Sequence, residues 1–346
     1  MSSKLIIGLD VSNLTLDYCE QPAKTLPWSA VRQLPVRRIE NSAEAIITLG
    51  RTYSPGNCMF ILEPTGSYSD KVLEILSALD HHVYLVGTRM FNSYCQFLGI
   101  GNKNDQQAAR TLAHIGSVAE LPRYEVPSKV IKVRKKLFSA LEGLKKDQQR
   151  FKNRIHAEEQ YLQSNELIMA CFRECLELVE QKIRLIEKQL NELKDEEFKR
   201  LSRLAQTVVG IGQVNAELIV TLTNGFKNFE SPKQAVKFCG FAPRSHKSGS
   251  SVNIKKRASK QANTNLRRAL FMAALSAIRF NSACKELYTR LRARGKGHFH
   301  AMNAVMAKLV RQLFAVIKYN REFDNQYLVK TTNEHNMYST RRFLKA

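Results

Sequence analysis

The sequence predicts an α/β plus α protein: a mixed α/β domain first, a central helical coiled coil, then a mainly α-helical C-terminal domain. Strand-like apolar runs alternate with amphipathic stretches through residues 1–122. Leu176, Val179, Ile183, Ile186, Leu190 and Leu193 then follow a 3,4,3,4,3 spacing, the a/d seam of a coiled coil. Beyond Leu201, Asn263 to Phe280 and Ala301 to Lys318 carry long apolar helical faces. These shifts divide the 346 residues into 1–122, 123–200, 201–325 and a basic tail over 326–346, enough chain for two or three cores.

In the first part, Leu5–Val11 reads as a buried strand that carries Asp10 out of its C-terminal edge. Thr15–Glu20 and Val36–Glu40 follow as strands, with a helix near Ala43–Leu49. The next strand, Cys58–Glu63, runs its last residue into the turn Pro64-Thr65-Gly66, ahead of the helix Ser69–Leu79 and the strand His82–Val86. Asn102-Lys103-Asn104-Asp105 is a helix start, and Ala108, Ala109, Leu112 and Ala113 continue with helical spacing, carrying Asp105 towards the strand ends. Antiparallel strands first, then strands alternating with helices, is the order of a mixed sheet. A ribonuclease-H-like layout fits, since it begins with a hairpin bearing an acid on its first strand; order alone does not prove it.

Asp10, Glu63 and Asp105 are therefore three hard oxygen donors directed to one place. Such a set suits Mg²⁺ or Mn²⁺, ions that take carboxylates and complete their shells with water and phosphate oxygens. Taken singly, each acid has a plainer role as an N-cap or a solvated side chain.

Charge points to the partner. Lys and Arg outnumber Asp and Glu by 54 to 31, a formal +23 that favours a polyanion. From Ser231 through Lys285 there is no acid, while Arg244, Lys247, Lys255, Lys256, Arg257, Lys260, Arg267 and Arg268 are among the bases. Such a segment can neutralise several phosphates, although basic runs are often only solvated faces. No apolar run approaches the roughly 18 residues that cross a bilayer, and Met1-Ser2-Ser3-Lys4 opens no signal peptide. No membrane partner is expected, and the protein should be soluble and cytoplasmic. Seven cysteines are scattered; Cys171 and Cys175, one helical turn apart, read as packing residues, not zinc ligands.

The second helical stripe, through Val130, Val133, Leu137, Leu141, Leu144, Phe151 and Ile155, matches the a/d seam. Two such helices pack as an intrachain hairpin or meet another subunit, and self-association is the favoured expectation. Val208-Val209-Gly210-Ile211-Gly212, followed by the helical Val214 to Leu222, resembles a helix–hairpin–helix, whose glycine turn lets backbone N–H groups reach phosphate. The same glycines would equally cap one helix and start the next. Ser248, in the polar run Ser248-Gly249-Ser250-Ser251 among cations, can attack a phosphodiester if a metal or base helps remove its proton. Most such runs are plain loops.

Five motifs in order, Gly8-Leu9-Asp10-Val11, Glu63-Pro64-Thr65-Gly66, Asn102-Lys103-Asn104-Asp105 with Ala109-Arg110, Gly210-Ile211-Gly212, and Gly240-Phe241-Ala242-Pro243 leading to Ser248-Gly249-Ser250-Ser251, resemble the insertion sequence 110 (IS-110) family of transposases. The resemblance covers nearly the whole chain. It implies an N-terminal RuvC-like domain of ribonuclease-H fold with a four-acid Asp-Glu-Asp-Asp site, a coiled coil, and a transposase domain with a catalytic serine. Position by position, Asp10, Glu63 and Asp105 match the first three acids and Ser248 the nucleophile. The family further implies a structured noncoding guide (bridge) RNA pairing with donor and target double-stranded DNA. It also implies a phosphoserine intermediate, a tetramer built as a dimer of dimers, and a prokaryotic, nucleoid-associated location.

One departure stands out. The family's fourth acid falls three residues after the third, and here that position is Ala108. Residues three apart share a helix face, so losing the second acid should weaken or empty one metal position. A natural three-acid lineage and a substitution that stalls catalysis both explain it; the intact flanks favour the second. Weak or absent strand exchange with retained nucleic-acid binding is the expectation. Rival functions are an RNA-independent DNA invertase of the same superfamily, a noncatalytic nucleic-acid-binding protein, and a junction nuclease that would not need Ser248.

Overall fold

The computed structural model describes residues 5–101, 104–161, 165–242, 247–248, 252–253 and 263–326. The chain folds as two compact units, Met1–Val126 and Pro127–Ala346.

The first unit contains β1 (Leu5–Val11), β2 (Thr15–Pro22), α1 (Trp28–Val31), β3 (Val36–Glu40), α2 (Ala43–Thr52), β4 (Cys58–Leu62), α3 (Ser67–Ala78), β5 (His82–Leu85), α4 (Thr88–Phe97) and α5 (Asp105–Val118). Its sheet has the order β3-β2-β1-β4-β5. The first three strands form an antiparallel meander, and β4 and β5 join in parallel. This mixed sheet is compatible with the ribonuclease-H-like layout expected from the sequence. The predicted strands recur within two residues at each end; α1 and α4 had no sequence expectation.

Period-two alternation sorts the strands' side chains onto two faces. Ile7, Leu9, Val11, Phe60 and Leu62 pack with Ile46, Val72 and Leu76 of α2 and α3. On the other face, Ile6, Cys19 and Ile61 pack with Phe91 of α4 and Ala109, Leu112 and Ala113 of α5. Gly8 is what lets α5 lie down there. A Cβ at Gly8 would stand 2.1 Å from the Ala109 carbonyl oxygen and 2.3 Å from the Ala113 nitrogen, so only glycine permits this crossing. α5 begins where the sequence indicates, with the Asn104 side chain accepting from the Gln107 N–H at 2.8 Å.

The second unit opens with a helical hairpin, α6 (Lys129–Glu158) and α7 (Glu166–Glu192). The two run antiparallel: Lys145 pairs with Glu187, and Lys152 with Glu180. Val179, Ile183, Ile186 and Leu190 close against Leu137, Phe138, Leu141 and Leu144 of the same chain. The seam offered as an oligomerisation signal is thus spent on the intrachain hairpin, because a short connection brings the matching stripe of α6 alongside. A second correction concerns Cys171 and Cys175, which are exposed and not packing residues. They lie off the a/d positions of the seam.

A bundle follows: α8 (Glu196–Thr207), α9 (Gln213–Thr223), α10 (Pro232–Phe238), the short ladder β6 (Lys247–Ser248) and β7 (Val252–Asn253), α11 (Thr264–Phe280), α12 (Ser282–Ala293) and α13 (His298–Lys318). Its core gathers Phe198, Leu201, Ile219, Phe226, Leu270, Val305, Leu309 and Leu313. The hairpin's base is fixed to this core by Arg134, which is fully buried. Its guanidinium donates to the carbonyls of Leu190 and Leu193, pairs with Glu217 at 2.8 Å, and covers the Phe198 ring at 4.1 Å. Among the described residues, no helix is long and apolar enough to cross a membrane.

Candidate functional site

Asp10 is the next-to-last residue of β1, on the face that α5 covers. The antiparallel register sets Asp17 of β2 directly opposite Asp10, and Arg38 of β3 directly opposite Asp17. Residues paired in this way share one face of the sheet. Glu63 comes one residue past the pair Leu9↔Leu62, on the other side of β1. The sheet's end therefore carries a row in the order Arg38, Asp17, Asp10, Glu63, and α5 starts over it with Asp105. Sequence reasoning expected Asp10, Glu63 and Asp105 here; it missed Asp17 and Arg38. The signal was present, since a hairpin turning at Ser12-Asn13-Leu14 pairs Asp10 with Asp17.

The carboxylates affect each other's charge. Burial, then the negative charges of Asp105, Asp17 and Glu63, push the Asp10 carboxyl up from 3.8 to about 6. Asp17 is almost fully buried, and both its oxygens accept from the Arg38 Nε at 3.1 Å. The same guanidinium reaches Asp105 through Nη2, also at 3.1 Å. Ala108, at the family's fourth-acid position, sits half-buried at the rim of the apolar cluster beneath α5.

Accumulated carboxylate charge, met among the described residues by the Arg38 guanidinium, is the donor chemistry of a divalent-cation site. Among the described residues, however, no three His, Cys, Asp or Glu side chains stand close enough to hold a metal ion as they lie. Charge and donor type fit such an ion, whereas Arg38 engages both Asp17, at 2.9 Å, and Asp105, at 3.1 Å.

Ser248 belongs to the second unit, where it pairs with Val252 across the β6–β7 ladder in place of the loop expected from its sequence. A β-branched Val after a polar turn run favours such a ladder. The Ser248 and Lys247 side chains, and Arg244, Gly249, Ser250, Ser251, Lys255, Lys256, Arg257 and Lys260, lie outside the described residues. Arg267 is half-buried on α11, and Arg268 is exposed with its charge met by Glu142 at 2.6 Å. In the glycine turn, Gly210 adopts φ +106°, and a Cβ there would stand 2.9 Å from the Ala273 oxygen of α11. Close packing accounts for Gly210, and Gly212 is the N-cap of α9.

A basic cluster outside the expected set surrounds the α12–α13 turn. Arg290, Arg292, Arg294 and Lys296 are exposed, beside an exposed Phe299. No acid occurs from Leu287 to Arg321, a second acid-free stretch that composition alone reveals.

Comparison with known proteins gives two family matches in chain order. A DEDD transposase domain of the IS110 type matches residues 7–161, and the Transposase IS116/IS110/IS902 family domain matches 202–289. The chain belongs to the IS110 family of transposases. It is a DNA transposase/recombinase, and a DEDD domain implies use of divalent metal. Similar proteins include the pilin gene-inverting protein of Moraxella lacunata, 25% identical over 94% of this chain and 99% of that one. Its counterpart in Moraxella bovis is 26% identical over the same shares. The insertion element IS110 uncharacterized 43.6 kDa protein of Streptomyces coelicolor is 29% identical over 44% of this chain and 37% of that protein.

Proposed function

We propose that this IS110-family transposase exchanges DNA strands through a phosphoserine at Ser248, with Asp10, Glu63 and Asp105 binding Mg²⁺ and a structured noncoding guide (bridge) RNA choosing the donor and target duplexes. The observation that carries the reading is the gathering of Asp10, Glu63 and Asp105, with Asp17, at one end of a mixed sheet. When bound, the metal would offset negative charge on the scissile phosphate. Ser248 Oγ attacks phosphorus and gives up its proton; the P–O3′ bond breaks, leaving a 3′-hydroxyl on one DNA end and a 5′-phosphoserine on the other. Attack by a 3′-hydroxyl of the partner duplex reverses the step, so rejoining needs no nucleotide cofactor.

Phosphate binding falls to Arg244, Lys247, Lys255, Lys256, Arg257, Lys260, Arg267 and Arg268, joined by the Arg290–Lys296 cluster. Base pairing, not side-chain readout, would choose the sequence. The tetramer reading rests on the α7 face opposite the hairpin seam, where Leu167, Leu178 and Leu185 remain exposed. A cytoplasmic, nucleoid-associated enzyme is the matching location. Ala108 at the fourth-acid position makes weak exchange the expected state of this chain.

The test is a denaturing-gel assay for covalent protein–DNA adducts with Mg²⁺, both DNAs and the noncoding RNA. Adduct that rises with Ala108→Asp and vanishes with Ser248→Ala supports the reading; cleavage insensitive to Ser248→Ala favours a junction nuclease. The pilin gene-inverting relatives favour a second reading, an RNA-independent DNA invertase. Adduct formation without RNA would select it.

A further inference from the structure

Arg38 makes contacts of two kinds. Its hold on Asp17 is internal: the Asp17 side chain is only 3% exposed, and it receives Nε on both oxygens and Nη2 at 2.9 Å. That buried carboxylate has no other cation in the row, so losing Arg38 would strand a charge away from water. The reach to Asp105 differs. Both side chains are more than half exposed, at 55% and 53%, so solvent screens this contact and it breaks at little cost.

The guanidinium is thus permanently attached on one side and exchangeable on the other. Asp105 is the first residue of α5, and its carboxylate is one of the charges acting on Asp10. We propose that Arg38 is the resident cation of this carboxylate site, holding Asp105 through Asp17 until a divalent cation displaces it from Asp105. Arg38 is a positioning residue here, and the inference rests on the divalent-cation reading given above. It also explains why the acids are gathered yet no three of them stand in ligating reach. The ion and the guanidinium compete for Asp105, and the fixed positive charge opposes the ion's approach.

Removing one unit charge about 6 Å from a divalent ion in water-like dielectric corresponds to about tenfold in affinity. The test is titration of the full chain with Mn²⁺ alone at low ionic strength, following the electron paramagnetic resonance signal of the free ion. Arg38→Met should bind Mn²⁺ about tenfold more tightly, and Arg38→Lys, which keeps the charge, should stay near the native value. Unchanged or weaker binding by a folded Arg38→Met overturns the proposal. Should Arg38→Met fail to fold because Asp17 is stranded, Asp17→Asn with Arg38→Met must bind more tightly than Asp17→Asn alone; equal binding overturns it as well. Failure of the underlying reading has its own signature. Mn²⁺ binding untouched by Asp10→Asn and by Asp105→Asn would remove the metal site itself, and Arg38's role with it.

Discussion

Replacing Asp10 with Asn should make the first unit more stable at neutral pH while removing a proposed metal ligand. The carboxyl stands at about 6 in the fold against an ordinary 3.8, through burial and then the charges of Asp105, Asp17 and Glu63. A folded-state value above the unfolded one means that the unfolded chain releases its proton first as pH rises. Stability is therefore lost between about pH 4 and 6 and stays lost above that window. At about 1.4 kcal/mol per pH unit the full displacement corresponds to about 3 kcal/mol. Asp10 is partly exposed, and solvent screening reduces this to about 1–2 kcal/mol. Asn mimics the protonated carboxyl, so Asp10→Asn should gain that amount at pH 7.5 and little at pH 3.5. The single tryptophan, Trp28, stacks on His114 in the first unit, with ring centroids 5.7 Å apart. Urea unfolding followed by its fluorescence, with chelator present, reports that unit alone. Equal stability of the two proteins at pH 7.5, or a gain that persists undiminished at pH 3.5, would refute the reasoning.

Three further outcomes follow from the packing and the charge. Gly8→Ala places a methyl 2.1 Å from the Ala109 carbonyl and should cost about 3 kcal/mol or more; a Trp28 melting curve like the native one would contradict the crossing described for α5. Arg134→Met takes one of two cations from Glu217, Lys194 remaining at 2.7 Å, and leaves the Leu190 and Leu193 carbonyls without their donor; it should cost about 2–3 kcal/mol, read as loss of helical circular dichroism at lower temperature. Changing Arg290, Arg292 and Arg294 together to Ala should lower the slope of log affinity against log salt by about 2–3 for a DNA duplex. An unchanged slope would show that this cluster contacts no phosphate.

Much of the first unit was legible because its signals are local. Apolar runs bounded by turn signals defined β1 to β5 to within two residues, and Asn104 marked the start of α5 through its own side chain. Asp10, Glu63 and Asp105 stood out because each ends a strand or starts a helix. Asp17 and Arg38 did not, since their importance comes from register: only the β1–β2–β3 pairing lines them up with Asp10. The a/d seam was equally plain, but a heptad stripe specifies a partner's pattern and not its chain. Tertiary structure assigned it to the hairpin, and the shortness of the α6–α7 connection is the reason.

The sequence by itself determined the order of β1 to β5 and of most of the longer helices, the family, the excess of positive charge and the three separated acids, all of which depend on residue type and spacing along one chain. Tertiary structure decided what distant residues do to one another. It set Asp10 beside Asp17 and raised its carboxyl, put α5 against Gly8, buried Arg134 under the hairpin, and gave Asp105 to Arg38. The Asp10–Asp17 pairing is set within one hairpin; the other outcomes depend on contacts between residues tens of positions apart, which no local pattern encodes.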